Sequence, residues 1–258
     1  MSDYLIDKFD DPIATGITGT LWDIGKKVVG SSFDVLKDKK QAAKAAKQYA
    51  DKYKSRYGLL KLLGMSQGLS LESVYTPVRF LDELSIRQFE SVASLEEVYR
   101  GSQKRKFQIN NCRSEDGITV ANETQYLMVL GNPGAGKSTF LRRMGLEALK
   151  EEEKRFKHDC IPVMLELKQF NTENVDLIAA IAEELKHFGF PPSQEFATKL
   201  LGDGKLLILL DGLDEVPKDF TNKVMDEIDN LVTHYEQNRF IVSCRIAAYR
   251  SNFKHDFQ

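Results

Sequence analysis

The feature that most constrains this chain is a glycine-rich run that follows a short apolar segment, YLMVL. The run matches the pattern G-x-x-x-x-G-K-[ST] without a mismatch, and a helix is expected after it, from Lys137 to about Phe156. Between a strand and a helix, this pattern predicts a phosphate-binding loop, or Walker A motif. Its backbone N–H groups turn inward, and the helix N-terminus adds a partial positive charge. The run consists of Gly131, Asn132, Pro133, Gly134, Ala135, Gly136, Lys137, Ser138 and Thr139.

Each residue type in the loop has a chemical reason to be there. We expect the three glycines to take backbone angles that a side chain would obstruct. Lys137 supplies a mobile cation for the β- and γ-phosphates of a nucleotide, and the hydroxyl of Ser138 is placed to bind Mg²⁺. Thr139 can donate a hydrogen bond to the α-phosphate. The loop therefore predicts a site for a nucleotide with magnesium.

Apolar runs alternate with helical patterns from Tyr126 onward. Such alternation predicts an α/β fold, a parallel sheet with flanking helices and right-handed crossovers. The strands are expected at 126–130, 161–167, 206–211 and 240–244, and the helices at 137 to about 156, 175–188 and 222 to about 235.

The third of these strands, LLILLD, ends in the carboxylate of Asp211. Because ligands of a parallel sheet lie at the carboxyl ends of its strands, Asp211 is expected to face Ser138 across Mg²⁺, as a Walker B residue does. Many ATPases place a second acid directly after the first, whereas this chain has Gly212 there. Asp214 or Glu215 is then expected to orient the attacking water, with Asp214 favoured, although either could instead cap the next segment.

The fourth strand, FIVSC, is followed by Arg245. An arginine at the carboxyl end of a strand, beside the γ-phosphate, can sense or stabilise the charge of that group. The alternative is an ordinary surface arginine. We keep Arg245 as a catalytic candidate together with Asp214 and Glu215.

The identity of the base can also be weighed from the sequence. GTP-specific P-loop proteins commonly carry N-K-x-D, and the nearest approach here is the run 222–226, NKVMD. Its acid comes one residue late and lies on a predicted helix. The sequence therefore favours ATP or ADP over GTP.

The N-terminal region, residues 1–57, differs from the rest in its glycine-interrupted apolar pattern and in its basic charge. Apolar residues spaced by three or four, from Ile13 to Val28, share one helical face that glycines interrupt. Docking on protein is the simpler interpretation, and membrane contact by residues 13–36 is the alternative. A basic helix is expected from Val35 to about Tyr57, with eight Lys or Arg against two Asp between 37 and 57. We expect residues 1–57 to fold separately from the nucleotide core, with residues 58–115 as a connector and 116–258 as the core.

Bulk composition excludes some classes of protein. The 258 residues have a formal net charge of -2 and a pI of about 6.2, which argues against nucleic acid as a main partner. Three widely spaced cysteines favour a reducing compartment, and no apolar run approaches a membrane span of roughly 20 residues. A cytoplasmic location follows as an expectation.

The motifs GNPGAGKST, LLILLDGLDEVP and FIVSCR together resemble the NACHT module of STAND-class signalling NTPases. The small residue after the Walker B aspartate, with acids following, is the most specific of these marks. The resemblance covers residues 58 to the end, where LLKLLGMSQGLSLESVYTPVRFLDE is similar to the connector of bacterial members. It implies an ASCE/AAA-like sheet in the order 5-1-4-3-2.

This resemblance also implies a function. It indicates an ATP/ADP-switched regulator of low turnover that self-associates when activated and works with an unidentified protein effector or sensor, in bacteria often in antiphage defence. Two alternatives stay open, a nucleotide-binding scaffold without turnover and a nucleic-acid-linked ATPase. The family's fold continues with a fifth core strand, a helical lid and a winged helix, so the chain is expected to be C-terminally incomplete.

Overall fold

The computed structural model describes residues 39–60, 68–81, 114–150, 153–249, 253 and 257. The strands are β1 (Leu59–Leu60), β2 (Leu69–Ser70), β3 (Arg79–Leu81), β4 (Ser114–Asp116), β5 (Tyr126–Leu130), β6 (Ile161–Glu166), β7 (Leu206–Asp211) and β8 (Arg239–Cys244). The helices are α1 (Lys39–Tyr57), α2 (Leu71–Val74), α3 (Gly117–Glu123), α4 (Lys137–Ala148), α5 (Leu177–His187), α6 (Gln194–Gly202) and α7 (Lys218–His234). The predicted membrane-contact segment, 13–36, lies outside these ranges.

A four-stranded parallel sheet organises the core, in the order β5-β8-β7-β6. Register sets Leu130 beside Cys244 and Glu166 beside Asp211, so the strands end along one edge. This confirms the predicted α/β fold, and the order reproduces four strands of the expected 5-1-4-3-2. The leucine-rich strand β7 lies inside the sheet, and its first five residues are fully buried, as a strand covered on both faces requires.

The helices start and end at different residues from those predicted. Helix α4 ends at Ala148, eight residues before Phe156. The N–H groups of Leu149 and Lys150 close its last turn by bonding to the carbonyls three residues back, those of Leu146 and Glu147, both at 3.2 Å. Phe156 is instead fully buried in the loop that follows. Helix α7 begins four residues early, at Lys218, and contains the discarded NKVMD run.

Helix α1 packs on the core, and the expectation that residues up to Tyr57 fold separately is wrong for this helix. Its stripe of tyrosines is buried, and the hydroxyl of Tyr49 donates to the carbonyl of Pro162 in β6. The hydroxyl of Tyr57 donates to Glu184 Oε1 of α5 at 2.8 Å, and burial raises the pKa of Tyr57 well above its usual value. The lysines of α1 whose side chains are described face solvent, so the basic side of this helix is its exposed side.

The connector is also attached to the core. Strands β1 and β2 pair antiparallel, as do β3 and β4. Glu72 of α2 forms an ion pair with Arg143 of α4 at 3.4 Å and another with Lys150. Arg143 also pairs with Glu147, which is fully buried and accepts a further hydrogen bond from the N–H of Arg155 at 3.2 Å. The boundaries at 57 and 115 remain predictions.

Strand β5 pairs with β8 along one side, and aromatic side chains gather near its start. The ring of Tyr126 lies 6.0 Å from that of Phe257, which in turn lies 4.9 Å from Phe253. Both phenylalanines pack against the core, although the sequence from 245 onward has no apolar run that would predict this. None of the described helices is long and apolar enough to cross a membrane.

Candidate functional site

The glycine-rich loop joins the end of β5 to the start of α4. Gly134 and Gly136 have φ values of +77° and +88°, and a Cβ added at either would meet no atom within 4 Å. Left-handed backbone of this kind strains any residue with a side chain. Helix α4 starts from Gly136 without a side-chain cap, so its first N–H groups are left for another acceptor. These features fit a phosphate cradle.

Gly131 serves a different purpose from the one predicted. It does not share the left-handed conformation of the other two glycines. A Cβ at this position would lie 3.1 Å from the Cβ of Ala135, because the loop closes on itself through a 3.1 Å hydrogen bond from the N–H of Ala135 to the carbonyl of Asn132. Close approach of the chain, rather than backbone angle, therefore favours glycine at 131.

The ammonium of Lys137 lies over the loop. Its Nζ donates to the carbonyl of Gly131 at 2.8 Å and to that of Asn132 at 3.1 Å. Both acceptors are neutral main-chain oxygens, so the positive charge is held at the loop without a carboxylate partner among the described residues. An anion entering the loop would find this charge in place.

The Walker A and Walker B residues meet at the sheet edge. Ser138 Oγ donates to Asp211 Oδ1 at 3.0 Å, so the two residues that the sequence proposes as magnesium ligands lie side by side. The same carboxylate oxygen accepts a 2.6 Å hydrogen bond from Ser243, whose Oγ in turn accepts the N–H of Gly212 at 2.8 Å. Ser243 is fully buried and was missed from sequence. In the sequence, Ser243 stands out as a polar residue near the end of an otherwise apolar strand.

Gly212 explains why no acid follows Asp211 directly. Its φ is +79°, and a Cβ there would lie 3.2 Å from the Glu215 side chain. The chain then turns through a short 3-10 helix, Leu213–Glu215. A side chain at 212 would strain this turn, and the acids come two and three residues after it, at Asp214 and Glu215.

The two acids occupy different environments. The side chain of Asp214 is only 7% exposed, and both its oxygens accept from Arg245, Oδ1 from the backbone N–H at 2.9 Å and Oδ2 from Nε at 2.8 Å. Glu215 is exposed at the same edge. Asp214, Glu215 and Arg245 all line the same cleft, and their catalytic roles stay predictions. The sequence did not predict that Asp214 and Arg245 pair.

Burial changes the acidity of a thiol beside the loop. Desolvation by burial, together with the nearby negative charge of Asp214, raises the pKa of Cys244 to about 11, whereas the positive charge of Lys137 opposes the shift. Cys244 is 1% exposed, and its carbonyl accepts the N–H of Gly131 at 3.3 Å. The thiol is therefore neutral at pH 7 and packs as an apolar group under the loop.

These residues surround a cleft of about 310 Å³. It is lined by Pro133, Gly134, Ala135, Gly136, Lys137, Ser138, Thr139, Asp211, Gly212, Asp214, Glu215, Ser243 and Arg245. A larger cleft of about 430 Å³ lies between α3 and residues 154–158. None of the motif residues line this larger cleft. We therefore take the smaller cleft, at the glycine-rich loop, as the candidate site because of the residues that line it and not because of its volume.

Comparison with known proteins adds one match. The family model described as NACHT domain matches residues 125–256, which is 132 of the chain's 258 residues. The matched part begins just before β5 and includes the loop, both Walker motifs and Arg245. No curated protein matches the chain significantly.

Proposed function

The chain belongs to the NACHT family of P-loop NTPases, and we propose that it binds ATP and ADP with Mg²⁺ as a slowly hydrolysing regulatory switch. One observation carries the proposal. Lys137, Ser138 and Asp211 come together at the carboxyl edge of a single parallel sheet, with the lysine on the loop carbonyls and the serine 3.0 Å from the aspartate. A nucleotide-phosphate site needs this combination of mobile cation and metal-facing oxygens.

The donor set fits magnesium. Mg²⁺ prefers oxygen ligands and usually takes one or two carboxylates together with phosphates and water. Ser138 Oγ and Asp211 Oδ1 would hold it, and the buried hydroxyl of Ser243 keeps the carboxylate of Asp211 in place. When bound, the ion would neutralise charge on the phosphates. Lys137 would exchange its two carbonyl acceptors for phosphate oxygens.

Hydrolysis needs an oriented water and a cation for the transition state. Of the acid pair Asp214 and Glu215, we propose Glu215 for the first task, and we propose Arg245, which Asp214 holds, for the second. Exposure of Glu215 in the cleft supports it as the acid that meets water, because Asp214 is already occupied. The proposed turnover is slow, as in regulatory switches.

The wider biology rests on the family resemblance alone. We propose self-association through the NTPase module in the activated state, an unidentified protein effector or sensor, and signalling in the cytoplasm, with antiphage defence as the setting. The exposed basic side of α1 supplies positive charge on one face of the core.

Thermal shift with ligand tests binding. A ligand at 100 times its Kd should add about 2.7 kcal/mol to the free energy of unfolding. Lys137→Ala should remove most of this gain for both Mg-ATP and Mg-ADP, because the phosphates lose their cation. Lys44→Ala, on the exposed face of α1, is the matched control and should keep the full gain. Equal shifts in wild type and Lys137→Ala would refute the site.

Phosphate release under steady state tests turnover. Glu215→Gln should abolish the slow rate and keep binding. If wild type binds nucleotide but releases no phosphate, the scaffold alternative is favoured over the switch. If Glu215→Gln and Asp214→Asn each leave the rate unchanged, the proposed role of the acid pair is wrong.

A further inference from the structure

The pair formed by Asp214 and Arg245 gives Asp214 a task other than contacting water. We propose that Asp214 is a positioning residue that fixes Arg245 at the cleft for the γ-phosphate, and so sets the preference for ATP over ADP. This inference rests on the proposed function, because it concerns the same nucleotide site. It assigns the pair a role in nucleotide discrimination.

Asp214 holds Arg245 at two points, its main chain and its side chain, and we call this arrangement the clamp. Oδ1 of Asp214 accepts from the main-chain N–H of Arg245, and Oδ2 accepts from Nε, at 2.9 and 2.8 Å. The Nε atom is the near nitrogen of the guanidinium, so the two terminal Nη groups extend beyond the clamp. The side chain of Arg245 is 49% exposed and lines the cleft together with Lys137 and Ser138.

The burial of the Asp214 carboxylate indicates whether Asp214 positions Arg245 for the phosphate or competes with the phosphate for Arg245. If an incoming phosphate pulled Arg245 away, Asp214 would remain as a charge with 7% exposure that had lost its cation. An uncompensated buried charge is strongly unfavourable. Arg245 is therefore expected to stay on Asp214 and to meet the nucleotide with its terminal nitrogens, rather than to exchange one anion for the other.

A fixed arginine at this place discriminates between nucleotides. ATP differs from ADP by the γ-phosphate, and the planar guanidinium can donate two parallel hydrogen bonds to a phosphate while Nε still contacts a carboxylate. A contact made only with the γ-phosphate strengthens ATP binding and leaves ADP binding unchanged. The device works only if the guanidinium is held in the correct orientation.

The clamp gives the two acids, Asp214 and Glu215, different roles. Each oxygen of Asp214 already accepts a hydrogen bond from Arg245, whereas Glu215, one residue later, is exposed at the sheet edge. Orienting the attacking water then falls to Glu215. Asp214 acts through Arg245 and does not contact the nucleotide itself.

Affinities for a non-hydrolysable ATP analogue and for ADP, each with Mg²⁺, test the inference by titration calorimetry. The measured quantity is the ratio of the two affinities. Arg245→Ala should lower the preference for the ATP analogue about tenfold, the size of one charged hydrogen-bond contact. Asp214→Asn should lower the preference at least about threefold while ADP affinity stays within about twofold. In the Arg245→Ala background, Asp214→Asn should have no further effect.

Controls separate positioning from a general loss of structure or charge. Asp219→Asn, on the exposed first turn of α7, removes an acid outside the cleft and should leave the ratio unchanged. If Asp214→Asn does not fold, Arg245→Lys serves instead. A lysine cannot contact Asp214 and the phosphate with separate nitrogens, so its ratio should fall nearly to that of Arg245→Ala.

Several outcomes would overturn the inference. An unchanged ratio in Asp214→Asn would remove the positioning role, and a raised ratio would show that Asp214 competes with the γ-phosphate for Arg245. A ratio for Arg245→Lys equal to wild type would show that charge alone is sensed. Failure of wild type to bind either nucleotide would instead refute the proposed function, so the two failures are distinguishable.

Discussion

Replacing Gly145 with alanine should destabilise this protein, although the same change stabilises most helices. Gly145 lies within α4, where alanine is intrinsically favoured by about 1 kcal/mol. A Cβ at this position would, however, overlap the side chain of Tyr53 from α1, lying 2.7 Å from its Cζ and 2.9 Å from its Cε1. Both residues are buried, so neither helix can yield without loss of packing. Overpacking of this kind costs about 1–3 kcal/mol. Once the gain of about 1 kcal/mol in helix propensity is subtracted, we expect a net loss of up to about 2 kcal/mol.

The hydroxyl of Tyr53 provides a second variant for a double-mutant cycle. It is buried and has no hydrogen-bond partner among the described residues, and it is the atom nearest to the added methyl group. Tyr53→Phe should therefore be neutral or stabilise by about 1 kcal/mol, because a desolvated hydroxyl is removed. In the Tyr53→Phe background, Gly145→Ala should cost less than in wild type, and the difference is the coupling energy.

Urea unfolding followed by circular dichroism measures these free energies. Gly202→Ala is the matched control, because a Cβ there, at the end of α6, meets nothing within 4 Å. It should be neutral or slightly stabilising. A Gly145→Ala protein as stable as wild type, with no coupling to Tyr53→Phe, would refute the packing of α1 on the P-loop helix.

Three further changes test the site and the core. Ser243→Ala should weaken magnesium-dependent nucleotide affinity and lower the free energy of unfolding by about 1–3 kcal/mol, measured by calorimetry and urea, because the N–H of Gly212 loses its acceptor. Asn238→Ala should cost about 3 kcal/mol in urea unfolding, since the buried amide contacts three main-chain groups, whereas the exposed Asn230→Ala should be neutral. Iodoacetamide at pH 8 should label Cys160 and Cys244 about 100-fold more slowly in the native protein than in urea. Burial raises the pKa of both thiols to about 11, so the native labelling rates should rise with pH toward that value. Mass spectrometry reads this result, and equal rates would contradict it.

The sequence predicted the nucleotide loop and the sheet because both are local signals. The spacing of glycines around Lys137 and the apolar runs of β5 to β8 each need fewer than ten neighbouring residues to recognise. Helix α6 has local signals too, since Ser193 caps it with a 3.3 Å hydrogen bond to the N–H of Phe196. It was nonetheless not predicted, because nine residues between prolines and a glycine give a short pattern.

Long-range partners could not be predicted in the same way. The spacing of Tyr49, Tyr53 and Tyr57 puts them on one face of α1. It does not show that Tyr49 meets Pro162 or that Tyr57 meets Glu184. The pairing of Asp214 with Arg245 depends on how β7 and β8 align in register, which sequence spacing does not give. The residues of the site were therefore predictable by type, whereas their contacts were not.

The role of Asp211 in holding magnesium with a nucleotide is the central claim, and calorimetry with a non-hydrolysable ATP analogue tests it most directly. Wild type and Asp211→Asn are each titrated with and without Mg²⁺. Mg²⁺ is expected to strengthen binding to wild type at least about tenfold, or about 1.4 kcal/mol, and the variant is expected to lose most of this gain while still binding the analogue through Lys137. No binding to wild type, or an equal gain from Mg²⁺ in both proteins, would contradict it.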